Sequence, residues 1–174
     1  ATWASGYANF AKLQANTLNT GFEINSIQKG MTGTLLMQQV ELGRVALTDH
    51  LSQYYPKVPG ADQITLRELL NMTSGLSTPH GFNNTTFTSN QQLIANDISK
   101  TVFNPNMHYK WRYQAINFIL LAGIIEKVSH QTYPHLFQKQ IINKLNLKHT
   151  AFAYALPNHY ESATGYYFKA GMDP

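Results

Sequence analysis

Ser26-Ile27-Gln28-Lys29 places a hydroxyl and an amine three residues apart at the point where a loop gives way to a helix. Residues three apart on a helix share a face, so the Lys29 amine can reach the Ser26 oxygen. The N–H groups of a first helical turn lack intrahelical partners and carry partial positive charge, which favours an oxyanion forming at Ser26. The tetrapeptide alone is weak, because about one chance S-x-x-K is expected in a domain of this size. Of nine serines, however, only Ser26 has a lysine three positions later. Its surroundings decide what it means.

Upstream, Ala1 to Ala8 alternates as a strand does, and Thr20-Gly21-Phe22-Glu23-Ile24-Asn25 delivers Ser26 to its helix. From Ile27 to Leu42 the positions Ile27, Met31, Leu35 and Val40, with Leu36 and Met37 beside them, predict a helix with a broad buried face, closed by Gly43. Gly30, Thr32 and Gly33 weaken helix propensity in the second turn, which implies close packing against neighbouring backbone. Arg44 to Pro59 reads as a surface connection with a short helix. Thr65 with Glu68 forms a capping box for a helix through Leu69, Leu70 and Met72, ended by Ser74-Gly75. Ser77 to Asn90 lacks periodicity and reads as a long surface loop. Ser89 with Gln92 opens a helix through Leu93, Ile94 and Ile98.

Phe103-Asn104-Pro105-Asn106 is a turn, and Tyr109, Trp111 and Tyr113 lead from it into the most apolar stretch of the chain. Ile116 to Val128 leaves only Asn117, Glu126 and Lys127 to face water, which predicts a central helix. Thr132 caps a further helix containing Phe137, Ile141 and Ile142, with Pro134 in its first turn. Leu145 to Pro157 is a connection, and Ala163 to Phe168 has the pattern of a strand. There is no internal repeat.

Composition narrows the function classes. With 174 residues the chain can bury one sizeable core. A net charge of +4 without any Lys/Arg run argues against a nucleic-acid partner and suits an anionic surrounding such as a cell envelope. The absence of cysteine excludes disulfides, thiolate metal sites and a cysteine nucleophile. His50, His80, His108, His130, His135, His149 and His159 have no metal-ligand spacing, so neither a metal nor a cofactor is called for. No apolar stretch has membrane-spanning length and no signal peptide opens the chain, so either the protein is cytoplasmic or an export segment lies upstream of Ala1. Asn83-Asn84-Thr85 matches a glycosylation acceptor of the kind Asn/Thr-rich loops produce by chance.

The order of these elements resembles the penicillin-binding protein and class C β-lactamase family of serine hydrolases. Gly6-Tyr7-Ala8 is similar to that family's early strand, and Phe22-Glu23-Ile24-Asn25-Ser26-Ile27-Gln28-Lys29 to its first motif. Gln39 to Asp49 and Ile64 to Leu76 look like its helical-region stretches. The resemblance implies an α+β fold: a mostly helical region plus part of an antiparallel sheet. It implies a single incomplete domain over 1–174, with strand and serine helix in 1–42, the helical region in 43–150 and a connection toward further strands in 151–174. It also implies acyl transfer without histidine, in which Ser26 attacks a carbonyl, Lys29 holds or takes its proton and Tyr113 relays a proton to the leaving group. Which of Lys29 and Tyr113 is the base stays open.

Two departures bear on substrate. The family's second motif is usually Tyr-x-Asn, whereas Tyr113-Gln114-Ala115 lacks the amide that contacts a peptide or lactam side chain. Asn117 is no simple substitute, since two helical residues rotate a side chain by about 200°; it is read as a surface or inter-helix contact. The third motif, Lys-Thr-Gly or His-x-Gly on a strand, is not found, and Lys148-His149-Thr150 falls where the family has a connection. The expected protein is therefore an envelope-associated or extracellular, bacterial-like serine hydrolase acting on small molecules or peptidoglycan peptides. A penicillin-binding or D-alanyl-D-alanine carboxypeptidase-like enzyme comes first, then a β-lactamase-related esterase or a non-catalytic cell-wall-binding relative. The 174 residues alone are expected to display half the site and no activity. An unrelated helical interaction domain would instead leave Ser26 and Tyr113 far apart.

Overall fold

The computed structural model describes residues 2–78, 89–152, 155 and 162–166. Its centre is the helix α4 (Ala115–Ser129), whose residues Ile116, Leu120, Leu121, Ile124 and Ile125 are fully buried. A helix apolar on nearly every side must be surrounded. Around it pack α1 (Gln28–Glu41), α2 (Leu66–Leu70), α3 (Asn90–Lys100) and α5 (Tyr133–Phe137), the last continuing into a π-turn over Gln138–Asn143. Leu35 and Leu36 of α1, Leu66 and Leu69 of α2, and Leu51 and Ile64 from the intervening segment complete the core. Two small antiparallel ladders flank the helices. Strand β1 (Tyr7–Asn9) pairs with β2 (Gln14–Ala15), and β3 (Leu76–Ser77) with β4 (Val102–Phe103). The result is the expected α+β arrangement, dominated by helix.

The helix ends follow local chemistry. Gly43, at φ +67°, closes α1 in a Schellman turn: its N–H reaches Val40 O (2.9 Å) and the Arg44 N–H reaches Gln39 O (3.0 Å). At α2 the Thr65 hydroxyl accepts from the Glu68 N–H while the Glu68 carboxylate accepts from the Thr65 N–H at 2.7 Å. Ser89 and Thr132 cap α3 and α5 in the predicted way. Helix α2 stops at Leu70 rather than reaching Met72, because Met72 turns left-handed at φ +58°.

Other expectations are corrected. Among the described residues the N-terminal strand shrinks to Tyr7–Asn9, the part that pairs with Gln14–Ala15, and Trp3 is 79% exposed. On α1 the buried face is Thr32, Leu35, Leu36 and Gln39, turned toward α4, whereas Ile27 and Met37 are exposed because no described element covers their side. Thr32 is buried and hydrogen-bonds Tyr133 OH (2.7 Å), and Gly33 is approached by Leu70 Cδ1, but Gly30 has no close neighbour. Asn117 is buried rather than facing water. Leu51, placed in a surface connection, is core, and the helix expected there is one 3₁₀ turn (Leu51–Gln53). Ser162 bridges Gly21 and the Thr164 N–H reaches Ala8 O at 2.7 Å, but residues 163–166 form no strand, and 167–168 lie outside the described residues. Most of the Ser77 to Asn90 loop, including Asn83, Asn84 and Thr85, lies outside them too, as do His80 and His159.

Gly123 marks the tightest approach to α4. A Cβ there would collide with Tyr55 OH and Ile94 Cδ1. Gly123→Ala is therefore expected to destabilise by about 1–3 kcal/mol through overpacking, although alanine favours helix. Urea unfolding of the two proteins checks this, and an unchanged midpoint would contradict the packing.

Candidate active site

The serine turn is built by a left-handed residue and a backbone hydrogen bond together. Asn25 adopts φ +41°, unusual for a residue with a side chain, and the Ile27 N–H bonds Ile24 O at 2.9 Å to close a 3₁₀ turn over Asn25–Ile27 that runs into α1. Ser26 sits in that turn rather than at the first α-helical residue, and its side chain is exposed to solvent. Lys29, on the first turn of α1, donates from Nζ to Ser26 Oγ at 3.1 Å. Tyr113 comes from 87 residues away, and its hydroxyl lies 2.5 Å from Ser26 Oγ. The Lys29 amine also stands 5.1 Å from the centre of the Tyr113 ring. The structure thus brings together all three residues singled out in the sequence, and the unrelated helical domain, which needs them apart, is ruled out.

Hydrogen bonding from Lys29, then from Ser26, holds the Tyr113 phenol below its ordinary pKa of 10.0, with the charge of Lys29 adding to the effect and partial desolvation opposing it. A cation beside the ring favours phenolate. The result is a polar cluster: a hydroxyl able to attack, with a phenol and an amine both within reach of its proton. Charge developing on a carbonyl oxygen at Ser26 would lie at the N-terminal, positive end of α1.

Ala115, in the place of the usual Asn, is exposed at the first residue of α4, so no side-chain amide stands beside Tyr113 there. His149 and Thr150 do not join the Ser26–Lys29–Tyr113 cluster. They help line a cavity of about 630 Å³ behind the serine turn, together with Asn25, Ile27, Phe137 and Phe152. Among the described residues no group of three His, Cys, Asp or Glu side chains could hold a metal ion, and no helix is long and apolar enough to cross a membrane. Two features escaped the sequence reading: the left-handed Asn25, and the buried contact of Asn117 with Ser74, whose hydroxyl donates to Asn117 Oδ1 at 2.6 Å. Asn117 as the one polar side chain in the run Ile116 to Ile125 was the available sign of the second.

A serine hydroxyl met by a lysine amine and a tyrosine phenol, in the turn that opens α1 of an α+β fold, is the arrangement of the S-x-x-K class of serine hydrolases. The model of the Beta-lactamase family matches residues 1–174, and the chain belongs to that family. It is 32% identical over 165 residues to the teichoic acid D-alanine hydrolase of Staphylococcus aureus, covering 95% of this chain and 41% of that protein. The crystal structure of FmtA from Staphylococcus aureus superposes with a TM-score of 0.81 at 31% identity, over 92% of this chain and 44% of the other. D-amino acid amidase from Ochrobactrum anthropi SV3 gives 0.79 at 25% identity, over 98% and 49%. A class C β-lactamase, at 0.71 and 24% identity, shares the fold. The chain thus spans less than half the length of these relatives.

Proposed function

We propose that the full-length protein carrying these residues is a serine hydrolase of the cell envelope that cleaves a D-aminoacyl bond through an acyl-enzyme, with D-alanyl esters its preferred substrates. The observation that carries the hydrolase reading is the Ser26 Oγ to Tyr113 OH distance of 2.5 Å beside the Lys29 amine at 3.1 Å. Ser26 Oγ attacks the carbonyl carbon, and its proton passes to the Tyr113–Lys29 pair. The tetrahedral intermediate expels the alcohol, which leaves with that proton. Water then attacks the Ser26 ester, giving its proton back through the same pair and releasing the D-amino acid.

The choice of an ester over a peptide or lactam rests on Ala115 and on kinship with a teichoic acid D-alanine hydrolase. An ester carries its own good leaving group and needs less grip on a neighbouring amide. That kinship also supports placement at the envelope, where a basic chain would meet anionic polymer. The single domain over 1–174, continuing beyond residue 151 toward further strands, is part of the same proposal.

The test offers the full-length protein a D-alanyl ester of a polyol phosphate, a D-alanyl-D-alanine peptide and a chromogenic cephalosporin. Ester turnover at least about tenfold above the other two is expected; faster peptide release would return the assignment to a carboxypeptidase. No turnover and no Ser26 adduct would leave a non-catalytic relative. Ala115→Asn is expected to raise acylation by the peptide or cephalosporin about fivefold, the value of one added hydrogen bond of about 1 kcal/mol. Progress curves for the two proteins measure it.

A further inference from the structure

Tyr113 is 46% exposed, so packing alone does not hold its ring over Ser26. Its main chain is instead held on both flanks by one loop, Met72 to Gly75. On the upstream flank the Arg112 N–H donates to Met72 O at 2.9 Å and the Tyr109 N–H to Thr73 O at 2.8 Å. On the downstream flank Gln114 O accepts from Asn117 Nδ2 at 3.2 Å and from the Asn117 N–H at 3.3 Å. Asn117 Oδ1 in turn accepts from Ser74 Oγ at 2.6 Å, and Ser74 Oγ accepts from the Leu76 N–H at 3.1 Å. Ser74 and Asn117 are each 1% exposed.

The loop that supplies these anchors has little freedom to shift. Met72 is left-handed at φ +58° and Gly75 at φ +73°. A Cβ on Gly75 would stand 2.8 Å from Asn104 O and 3.0 Å from His108 N, so the next segment lies directly against it. A buried, fully paired polar link of this kind has one low-energy geometry, because any shift leaves a polar atom unpaired in an apolar surrounding.

We propose that the buried Ser74–Asn117 pair is a positioning device that fixes Tyr113 over Ser26, by tying the start of α4 to the same loop that holds Arg112. Neither residue faces the reacting atoms, so both act through Tyr113. This rests on the reading that Tyr113 carries the Ser26 proton, and such transfer tolerates misplacement of only about 0.5 Å. Ser74→Ala removes the tie and leaves Asn117 Oδ1 without its donor. Tyr113 then drifts from Lys29 and Ser26.

The experiment has two readouts on the full-length protein. The first is the titration of Tyr113 itself, followed by NMR of protein labelled at the tyrosine Cζ carbon. In the wild type the Tyr113 signal is expected to titrate below 10.0, and in Ser74→Ala to move back toward it. An unmoved titration overturns the proposal whatever the activity does. The second is the rate at which an activated fluorophosphonate labels Ser26, measured for Ser74→Ala alone and combined with Tyr113→Phe. The expected result is a loss of about 10- to 100-fold in the wild-type background and none in Tyr113→Phe, as for residues acting as one unit. Equal losses in both backgrounds overturn the proposal by showing general loosening. Failure of labelling in the wild type, with the Tyr113 titration still shifting in Ser74→Ala, rejects the hydrolase reading while the positioning of Tyr113 by the Ser74–Asn117 pair stands. Should Ser74→Ala not fold, Asn117→Ser shortens the same link and is expected to move both readouts in the same direction.

Discussion

Ser26→Ala is expected to abolish covalent labelling of the full-length protein by a penicillin or an activated fluorophosphonate, and to lower ester turnover by at least about 10⁴-fold. The magnitude follows from the geometry. Ser26 Oγ is the atom on which both the Lys29 amine and the Tyr113 phenol converge, at 3.1 and 2.5 Å. A methyl group in its place leaves the amine and the phenol intact but with nothing to activate. Mass spectrometry of the labelled protein locates the adduct, and an adduct retained in Ser26→Ala would remove the serine from its proposed role. Because the side chain is solvent-exposed, the substitution should leave the unfolding free energy within about 0.5 kcal/mol of the wild type, which separates lost chemistry from lost fold.

Tyr113→Phe has the second largest expected effect, a loss of about 10²–10⁴-fold in acylation rate together with a changed pH profile. The direction of the profile follows from the phenol. Lys29 and Ser26 stabilise the phenolate, so the folded-state pKa lies below 10.0 and the basic form is populated at lower pH than for a free tyrosine. The acylation rate of the wild type should rise with pH through a limb whose midpoint lies below 10.0, and a phenyl ring, which has no proton to lose, cannot supply that limb. Rates measured from pH 6 to 10.5 decide between the two candidate bases, in steps of about half a unit. A limb that survives Tyr113→Phe unchanged would assign the proton transfer to Lys29.

How much of this was legible in the sequence differs from residue to residue. The capping box at Thr65 and Glu68, the Gly43 turn and the Thr132 cap were readable because each is settled within a few residues by donors that have no other partner. The helix Ala115–Ser129 was readable because a stretch so apolar has only one place to go. Asn117 was misread for the same reason in reverse. An amide in an apolar helix was assigned to the surface or to an inter-helix contact, while in the fold it is buried against Ser74 of a loop, 43 residues away in sequence. Ile27 and Met37 show the other error: periodicity marks which positions are apolar, but which side of α1 is covered depends on where α4 lies.

The sequence by itself determined the candidate nucleophile and its amine, because Ser26 and Lys29 are three residues apart on one chain and a helix alone brings them into contact. It also determined the main helices, through their periodic apolar positions. Only the tertiary structure decided that Tyr113 meets Ser26, that Asn25 turns left-handed to present it, and that Ser74 and Asn117 hold the tyrosine's flank. Each of these depends on segments tens of residues apart being packed by a common core, and nothing local in the chain fixes such distances.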